Sequence, residues 1–457
     1  MTGPTTAPKS SLAIPWGGAG STLAIDWPEA WPVADVVRPH LNGIMADYPS
    51  ALRQALDEPI GGPRIEHRVG PGSTVAIVVD DPSRWTPVRE ALPIVIGRLL
   101  DAGMKPSDVS ISVGVGRHHA LDADAMRKRV GDAVFDAHTC HSPPVDDLSE
   151  YDDLGTTGDG VPVRVFRPVA KADLRVLIGS VLPHLQAGFG GGYKLIFPGT
   201  SHRSTLGALH AKGLGANDAG ALLGSDADRN PMRLAIHAAA ERLGPCVSIS
   251  HLIGAPGEIL HVATGHPDAV QDALATEARR RFRAPDAEPA DIVVAGNHPW
   301  PGDPMQSFKV LLQHRAAGRP GGVLVGFFWT DPAEIDRSFP MPMMRAIASS
   351  GVLGGWIIRR GLATTDRLAS ALHLRSEFLI RWARELVVDR TVLIYAPLLH
   401  VRIGGRLGPI RVFADQATLW RAATEALKGT PQPVARVFPQ GGLTYCPERP
   451  KPGGPPR

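Results

Sequence analysis

Residues 181–210, with the sequence VLPHLQAGFGGGYKLIFPGTSHRSTLGALH, are the most informative segment of the chain. It follows an apolar run, residues 174–178, which predicts a buried strand. His184 precedes a cluster of glycines at positions 188 and 190–192, and Lys194 follows that cluster. Glycine lets a backbone approach a ligand closely and adopt positive φ angles. A lysine beside such a loop can neutralise a phosphate or act as an amine nucleophile, so the stretch is a candidate site.

The residues around the lysine do not match the P-loop for phosphates. Leu195 follows Lys194, whereas the G-x-x-x-x-G-K-[ST] motif requires Ser or Thr at that position. The next Pro-Gly pair predicts a turn. After the turn, Thr200 or Ser201 is placed to cap a short helix that carries His210.

Composition indicates a soluble globular chain. At 457 residues, two or three domains are expected, each able to bury a core. Hydrophobic residues make up 43% and charged residues 20%, and the formal net charge is only +3, which gives no case for binding nucleic acid. No apolar run of about 18 residues is present, so no membrane association is expected.

The three cysteines, Cys140, Cys246 and Cys446, are scattered along the chain. They cannot form a full disulfide framework, and buried thiols in a reducing compartment are the better interpretation. We therefore expect a cytoplasmic protein.

The fold class predicted from the pattern of elements is α/β, with two α/β domains, mainly parallel sheets and the active site in the cleft between them. Residues 1–20 are expected to form a disordered leader, because they contain no continuous apolar region. The N-terminal domain, residues 21–282, would carry the site. A linker rich in proline and alanine, residues 283–290, precedes a C-terminal domain at 291–446 and a flexible tail at 447–457.

Two further strand ends carry polar residues. The run Thr74–Val79 predicts a parallel strand and continues into DDPSRWTP, which includes Asp81, Ser83 and Arg84. Such residues face the ligand crevice of an open α/β sheet. The alternative is an ordinary strand-to-helix turn in which Asp81 caps the helix. Arg84 is suited to a carboxylate or phosphate, because guanidinium can pair with either through two hydrogen bonds.

The second of these strands, predicted at 109–115, ends in Gly116-Arg117-His118-His119. A single histidine after a strand is commonly structural, whereas two beside an arginine favour function. With the strand before His184, three strands would bring Asp81, His118 and His184 to one edge of a sheet.

A fourth candidate lies in the second half of the chain. A predicted strand at 291–295 leads towards Gln306 and Lys309, which are about one helical turn apart and share a face. Considered alone, the pair is more typical of a solvated helix start.

The sequence PHLQAGFGGGYK at 183–194, followed by Pro-Gly and His210, resembles the core motif of the lactate racemase family, the nickel pincer nucleotide enzymes. The resemblance implies that Lys194 carries the cofactor covalently as a thioamide and that His210 completes nickel coordination. It also implies that His118 and His184 are the two acid/base groups. The separations are 66 residues between those two histidines, 10 from His184 to Lys194, and 16 from Lys194 to His210.

The resemblance also covers residues outside the core motif. The turn matches the family's D-x-[ST]-R-x-x-P sequence, which implies a role in the cofactor and substrate site. Further positions are implied as well. Cofactor binding is expected at Asp81, Ser83, Arg84, Gly190, Gly191 and Gly192, and substrate binding at Arg84, Gln306, Lys309, Arg117 and Gln186.

The implied reaction is inversion of C2 in a 2-hydroxy acid by proton-coupled hydride transfer. The implied cofactor is pyridinium-3-thioamide-5-thiocarboxylate mononucleotide with Ni(II), and imidazole is a suitable ligand for that ion. The implied partners are a small 2-hydroxy acid and the enzymes that build and load the cofactor. A monomer or a dimer is expected.

Several positions depart from lactate racemase. Gln186 stands where phenylalanine is expected, Met305 where tyrosine is expected, and Arg117 where a smaller side chain is expected. His119 replaces an arginine, and the region of Glu377 aligns poorly with an expected tryptophan. Polar groups in a pocket reject ligands that leave them unpaired. We therefore expect a substrate more polar than lactate, such as malate or a sugar acid.

Two other functions fit parts of the sequence. One is a nicotinamide-dependent 2-hydroxy acid dehydrogenase, although no G-x-G-x-x-G follows an early strand. The other is non-catalytic: an α/β protein that binds a nucleotide or a sugar acid, or a family member that has lost its cofactor. The presence of all five key residues argues against a dead enzyme: His118, His184, Lys194, His210 and Lys309.

Overall fold

The computed structural model describes residues 12–18, 20–32, 34–116, 120–214, 222–300, 304–338, 349–372, 384 and 386–447. These residues divide into two compact units. The N-terminal unit contains the described residues from Leu41 to Leu214 and from Gly224 to Arg281. The C-terminal unit contains those up to His40, Leu222 and Leu223, and those from Phe282 onward.

The strands, in chain order, are β1 (Ala13–Pro15), β2 (Thr22–Ala24), β3 (Asp35–Val36), β4 (Val75–Asp80), β5 (Val109–Gly114), β6 (Thr139–His141), β7 (Tyr151–Thr156), β8 (Pro162–Phe166), β9 (Leu174–Ser180), β10 (Pro183–His184), β11 (Gly188–Phe189), β12 (Cys246–Ile253), β13 (Ile259–Gly265), β14 (Ala290–Gly296), β15 (Gly318–Phe327), β16 (Thr391–Tyr395), β17 (Arg406–Leu407), β18 (Ile410–Phe413) and β19 (Ala435–Phe438).

The α-helices are α1 (Tyr48–Asp57), α2 (Val88–Asp101), α3 (Ala123–Val130), α4 (Asp132–Ala137), α5 (Arg167–Lys171), α6 (Arg203–Leu214), α7 (Pro231–Ala240), α8 (Pro267–Phe282), α9 (Pro304–His314), α10 (Pro332–Ser338), α11 (Gly351–Leu372), α12 (Pro397–Ile403) and α13 (Gln416–Ala426). The prediction of an α/β fold with mainly parallel sheets is confirmed.

The N-terminal unit is built on a six-stranded sheet with the order β13-β12-β9-β4-β5-β6. All its pairs are parallel except β12 with β13. Strand β4 is buried along its whole length, as expected for a strand covered on both faces. The chain runs outward from β4 to β6 and then returns to start again at β9 on the other side of β4. The order therefore reverses between β4 and β9, the position where open α/β sheets bind ligands.

Apolar clusters cover both faces of this sheet. One cluster includes Leu52 of α1, Leu92 of α2 and Val130 of α3. The other includes Leu209 of α6 and Ile236 of α7. Buried helices on each face hold the sheet rigid, so the residues beyond its strand ends have fixed starting points.

The C-terminal unit has a seven-stranded sheet with the order β17-β18-β16-β15-β14-β19-β3. Its pairs are parallel except β17 with β18. The order of this sheet reverses between β14 and β19. Helix α9, which carries Gln306 and Lys309, follows β14 and therefore lies after the strand at this reversal.

The N-terminal segment differs from its prediction. Residues 12–18 are not a disordered leader, because β1 pairs with β2 and Ile14 is fully buried. Residues up to His40 also belong to the C-terminal unit rather than to the N-terminal domain. Strand β3 pairs with β19, and Arg436 donates to Asp35 at 2.9 Å. This pairing was not predictable from the sequence, because strands of two or three residues have no measurable periodicity and Asp35 and Arg436 are 401 positions apart.

The four strands predicted at 74–79, 109–115, 174–178 and 291–295 end within two residues of the observed β4, β5, β9 and β14. Residues 1–11 and 448–457 lie outside the described part of the chain. Within the described part, no helix is both long and apolar enough to cross a membrane.

Ile14→Ala tests whether the N-terminal segment belongs to the core. We expect the free energy of unfolding to fall by about 2–4 kcal/mol, because a fully buried isoleucine loses its contacts and leaves a cavity. Tryptophan fluorescence during chemical denaturation reports on this cluster, which contains Trp27, Trp31 and Trp420. Ile44→Ala is the control, since Ile44 is 47% exposed and its loss should cost no more than about 0.5 kcal/mol. Equal losses in the two variants would show that the segment is not part of the folded core.

Candidate active site

The turn after β4 is compact and held by its own backbone. The carboxylate of Asp81 accepts a hydrogen bond from the Ser83 amide at 2.8 Å, and the Arg84 amide donates to the Asp81 carbonyl at 3.0 Å. Helix α2 begins only at Val88, and its N-cap, Pro87, makes no side-chain capping bond. The alternative in which Asp81 caps the helix is therefore wrong. The Ser83 hydroxyl is buried without a hydrogen-bond partner.

A buried ion pair between Arg129 and Asp80 holds this turn in place. Arg129 of α3 donates to the carboxylate of Asp80, the last residue of β4, and to its carbonyl at 3.1 Å. The same guanidinium reaches the carbonyls of Arg84 and Thr86 at 3.4 and 3.3 Å. Thr86 donates its hydroxyl to the Asp80 carboxylate at 2.6 Å. Sequence reasoning missed Arg129, because nothing in a basic helix indicates which arginine turns inward.

His184 opens the glycine loop and lies in a small hairpin. Strand β10 pairs with β11, with His184 opposite Gly188. The Nδ1 atom of His184 accepts hydrogen bonds from the amides of Gln186 and Ala187 at 3.2 and 3.0 Å. An imidazole nitrogen that accepts carries no proton, so the neutral ring holds its proton on Nε2.

A buried arginine organises the carbonyls of the glycine loop. Arg233 of α7 is 2% exposed and donates to four backbone carbonyls: to Ala187 at 3.3 Å, Gly190 at 2.9 Å and Gly191 at 3.2 Å, and to Phe189. Burial lowers the pKa of Arg233 to about 10, which leaves it charged at neutral pH. Sequence reasoning missed this role, because no motif along the chain links Arg233 to the glycine loop.

The glycines leave room that side chains would fill. Gly191 and Gly192 have φ angles of +78° and +59°, which side chains rarely tolerate. A Cβ at Gly191 would lie 2.9 Å from Val181 and 3.3 Å from Oε1 of Gln271. Gln271 is 4% exposed, and its Oε1 is buried without a hydrogen-bond partner. The loop therefore forms a backbone cradle with an unsatisfied amide oxygen against it.

Lys194 lies in a 3₁₀ turn, Gly192–Leu195, and is half-buried. Its amide donates to the Gly191 carbonyl and its carbonyl accepts from Gly199, each at 3.3 Å. The lysine is thus placed directly after the cradle, at the point where the chain turns back towards α6.

His210 lies on α6 with its ring orientation fixed. Its Nδ1 donates to the Leu206 carbonyl at 2.8 Å, so Nε2 holds the lone pair. Metal-binding histidines commonly donate their other ring N–H to a carbonyl in this way. The tautomer of His210 is therefore the opposite of that of His184.

The cap of α6 differs from its prediction. The helix begins at Arg203, and the Nδ1 atom of His202 accepts from the Ser204 amide at 3.2 Å. Ser201 instead donates its hydroxyl to the Ile196 carbonyl at 2.7 Å, and the Thr200 hydroxyl is buried without a partner. The tight turn that begins at Ile196 occupies both predicted caps, so the helix starts after them.

Gln186 lies against the helix that carries His210. Its Cβ is 3.2 Å from the position where a side chain at Gly213 would begin. Gly213 is three residues beyond His210, one turn along the same face. Glycine at this position lets the loop of His184 pack directly on α6.

The predicted acid/base residue His118, with Arg117 and His119, lies outside the described residues. The chain before it is described up to Gly116, whose amide donates to the Gly199 carbonyl at 2.9 Å. The end of β5 therefore meets the turn that follows Lys194. Residue 377 also lies outside the described part, as does the side chain of Met305.

In the C-terminal unit, Lys309 donates to Oε1 of Gln306 at 2.8 Å, which confirms that the two side chains share a face of α9. Gln306 is buried, whereas Lys309 is exposed. The pair is thus a polar cluster at the start of a helix that follows a central strand. Whether it contacts substrate stays a prediction.

Among the described residues, no group of three or more His, Cys, Asp or Glu side chains is arranged to hold a metal ion.

A buried histidine supports the strand before the site. His251 of β12 donates from Nδ1 to the Gly179 carbonyl at 3.0 Å and accepts at Nε2 from the Tyr48 hydroxyl at 2.8 Å. Burial lowers the pKa of His251 to about 4.

Comparison with known proteins gives a consistent result for the sequence. Residues 21–221 match the family model described as the lactate racemase N-terminal domain. The chain is 24% identical over 323 residues to a lactate racemase of Thermoanaerobacterium thermosaccharolyticum, covering 69% of this chain and 74% of that protein. It is also 24% identical over 322 residues to a lactate racemase of Lactiplantibacillus plantarum, covering 65% and 74%.

Solved structures extend the likeness to the whole fold. The lactate racemase apoprotein from T. thermosaccharolyticum matches with a TM-score of 0.76 and 20% identity, over 95% of this chain and 99% of that one. A Thermotoga maritima protein matches with a TM-score of 0.59 and 13% identity, over 88% and 98%.

Acid should destabilise the fold partly through His251. Its pKa is lower in the folded protein than the ordinary 6.5, so the folded state binds fewer protons. The stabilisation is complete above about pH 6.5 and is lost as the pH falls towards 4, by roughly 3 kcal/mol. His251→Gln keeps a donor and an acceptor but cannot titrate, so its unfolding free energy should fall less between pH 7 and pH 4. His261→Gln, at an exposed position of β13, is the control. Identical pH profiles for His251→Gln and the natural protein would contradict this account.

Proposed function

Because this chain belongs to the lactate racemase family, we propose that it is a 2-hydroxy acid racemase or epimerase whose cofactor is a nickel pincer nucleotide attached to Lys194. The chain is an enzyme of the isomerase class. The observation that carries the finer proposal is the placement of Lys194 shortly after a glycine cradle, together with the hydrogen bond from Nδ1 of His210 to the Leu206 carbonyl, which makes Nε2 the unprotonated ring nitrogen.

The residues present fit the cofactor. A primary amine can condense with a thiocarboxylic acid to a thioamide, with formation of a C–N bond, cleavage of the C–O bond and release of water, and Lys194 would supply that amine. The first amides of a helical turn have no intrahelical acceptor, so Gly191 and Gly192 can donate to a phosphate. Ser83 and Arg84 supply a hydroxyl and a guanidinium for the same group. When bound, the nickel pincer nucleotide supplies the site that accepts and returns the C2 hydride.

The acid/base roles are proposed for His184 and His118. In the described arrangement His184 holds its proton on Nε2 and can donate a hydrogen bond to the oxygen on C2 of the substrate. For Nε2 to take a proton, Nδ1 must first carry one, which requires release of the two amides at 186 and 187. The loop conformation thus controls whether His184 acts as donor or as base.

Substrate recognition is proposed for Arg84, Gln306 and Lys309, because a guanidinium, an amide and an ammonium group can each pair with a carboxylate. Gln186 and Arg117 would pair with polar groups on the rest of the substrate. A substrate that lacked such groups would leave these side chains unpaired, which is why malate or a sugar acid is preferred over lactate.

The nicotinamide-dependent dehydrogenase is a weaker candidate. The strand order of the N-terminal unit is compatible with dinucleotide binding, but the turn after β4 is DPSRWTP and contains no glycine. A dinucleotide pyrophosphate needs glycines in that first turn to approach the backbone. Here the glycine loop follows β9 instead.

Cofactor loading is the first test. Protein co-expressed with the cofactor-building enzymes should carry a mass adduct on Lys194 and about one nickel ion per chain. Lys194→Ala should abolish the adduct, whereas His210→Ala should keep the adduct and lose most of the nickel. Intact mass, peptide mapping and metal analysis give the answer.

Lys212→Ala is the matched lysine control, because Lys212 lies on α6 and pairs with Asp159 at 2.8 Å. It should load normally. An unmodified Lys194, under conditions that load a known lactate racemase, would refute the tethered cofactor.

Substrate preference is the second test. The loaded enzyme should racemise malate or gluconate with a higher kcat/KM than lactate. Gln186→Phe should shift the ratio towards lactate by about tenfold or more, because it replaces a polar contact with an apolar one. Gln54→Phe, at an exposed position of α1, should leave the ratio unchanged. A clear preference of the natural enzyme for lactate would overturn the assignment of a polar substrate.

A further inference from the structure

We propose that Arg233 is the positioning residue of the loop that carries His184 and Lys194, with Asn230 as its second anchor. The inference rests on the proposed function, since it assigns these residues a role in the same reaction. Both belong to the start of α7, and neither carries a group that the reaction itself requires.

The guanidinium of Arg233 donates hydrogen bonds to four backbone carbonyls of one short segment. Nε donates to Ala187 at 3.3 Å, Nη1 to Gly191 at 3.2 Å, and Nη2 to Gly190 at 2.9 Å as well as to Phe189. Among the described residues, no carboxylate lies within ion-pair distance of this guanidinium. The backbone of the loop is therefore its principal partner.

This arrangement decides which way the amides of the loop face. A trans peptide points its N–H opposite to its carbonyl. Since the carbonyls of Phe189, Gly190 and Gly191 point to Arg233, the amides of Gly190, Gly191 and Gly192 point away from it. The Gly190 amide is taken by the Leu182 carbonyl at 2.8 Å. The amides of Gly191 and Gly192 are the two that the proposed function assigns to the phosphate of the cofactor.

Asn230 holds the other end of the same loop. Its Oδ1 caps α7 by accepting from the Arg233 amide at 3.0 Å. Its Nδ2 donates to the Gln186 carbonyl and to the Ser225 hydroxyl, both at 3.0 Å. The Gln186 carbonyl is therefore fixed beside the two amides that bind Nδ1 of His184, so Asn230 supports the turn that sets the tautomer of that ring.

Arg175 provides a matched comparison within the same unit. It is also buried, and its guanidinium also donates to backbone carbonyls, those of Val169 at 2.8 Å and Ala170. It lies near the start of β9, however, whereas the loop of His184 follows the end of that strand. Loss of either arginine removes a buried charge and leaves carbonyls unsatisfied, but only the loss of Arg233 affects the site.

The test uses the full chain with Arg233→Lys, Arg233→Met and Asn230→Asp, and with Arg175→Lys and Arg175→Met as controls. The first readout is amide hydrogen exchange of Gln186, Ala187 and Gly190. We expect exchange to rise by about tenfold or more in both Arg233 variants and to stay unchanged in both Arg175 variants. Lysine keeps the charge but cannot span four carbonyls, so Arg233→Lys should not restore protection.

The second readout is the tautomer of His184, measured by two-bond ¹H–¹⁵N correlation. The natural protein should show its proton on Nε2, and Arg233→Lys should show exchange between both tautomers. The ring of His251, with its proton on Nδ1, is an internal reference that should not change. Asn230→Asp keeps the helix cap but loses both Nδ2 donations, so it should alter His184 while leaving the exchange of α7 unchanged.

Unchanged exchange and tautomer in the Arg233 variants would overturn the proposal, as would equal changes in the Arg175 variants. Should Arg233→Met fail to fold, Arg233→Lys and Asn230→Asp still decide the question. These readouts need no cofactor, so they are separate from failure of the proposed function, which would appear as an unmodified Lys194 in the natural protein. In loaded enzyme, Arg233→Lys should lower kcat by about tenfold or more with little change in KM.

Discussion

Parallel pairing of β4 with β9 is the constraint on which the site depends. Parallel strands end at the same edge of a sheet, so the turn after Asp80 and the loop after Ser180 begin side by side. The chain passes from one to the other through nearly a hundred residues, including β5 and β6 on one side of β4. The strand order reverses between them, and open α/β sheets bind ligands at such a reversal. Every proposed cofactor residue of this unit follows one of these strand ends.

The strand ends alone would not fix the site, because loops carry many backbone groups without sheet partners. In this protein, buried side chains form hydrogen bonds with those backbone groups. Arg129 binds the carbonyls of the turn after β4, and Arg233 binds those of the glycine loop. Asn230 and His202 cap helices at the edge of the same region. Buried carbonyls without such donors would destabilise the fold, so the same contacts hold the backbone and shape the crevice.

Backbone hydrogen bonds fix His184 and His210, the two described histidines of the site, in opposite tautomers. His210 donates to a helix carbonyl and keeps the Nε2 lone pair, which suits a metal ligand. His184 accepts two amides and keeps the Nε2 proton, which suits a donor to a substrate oxygen. The different roles proposed for the two rings therefore follow from their local backbone, although both are imidazoles of the same intrinsic chemistry.

The sequence by itself determined the α/β class, the buried strands and the glycine, lysine and histidine positions of the proposed site. These are local signals: apolar runs of five or six residues, and residue types that suit a given chemistry. It did not determine that the described residues up to His40 belong to the C-terminal unit, that His202 caps α6, or that Arg129 and Arg233 turn inward. Those outcomes depend on which groups meet after the chain has folded. An arginine can be buried only where backbone carbonyls accept its hydrogen bonds. The positions of those carbonyls depend on the tertiary structure and cannot be read from a local sequence pattern.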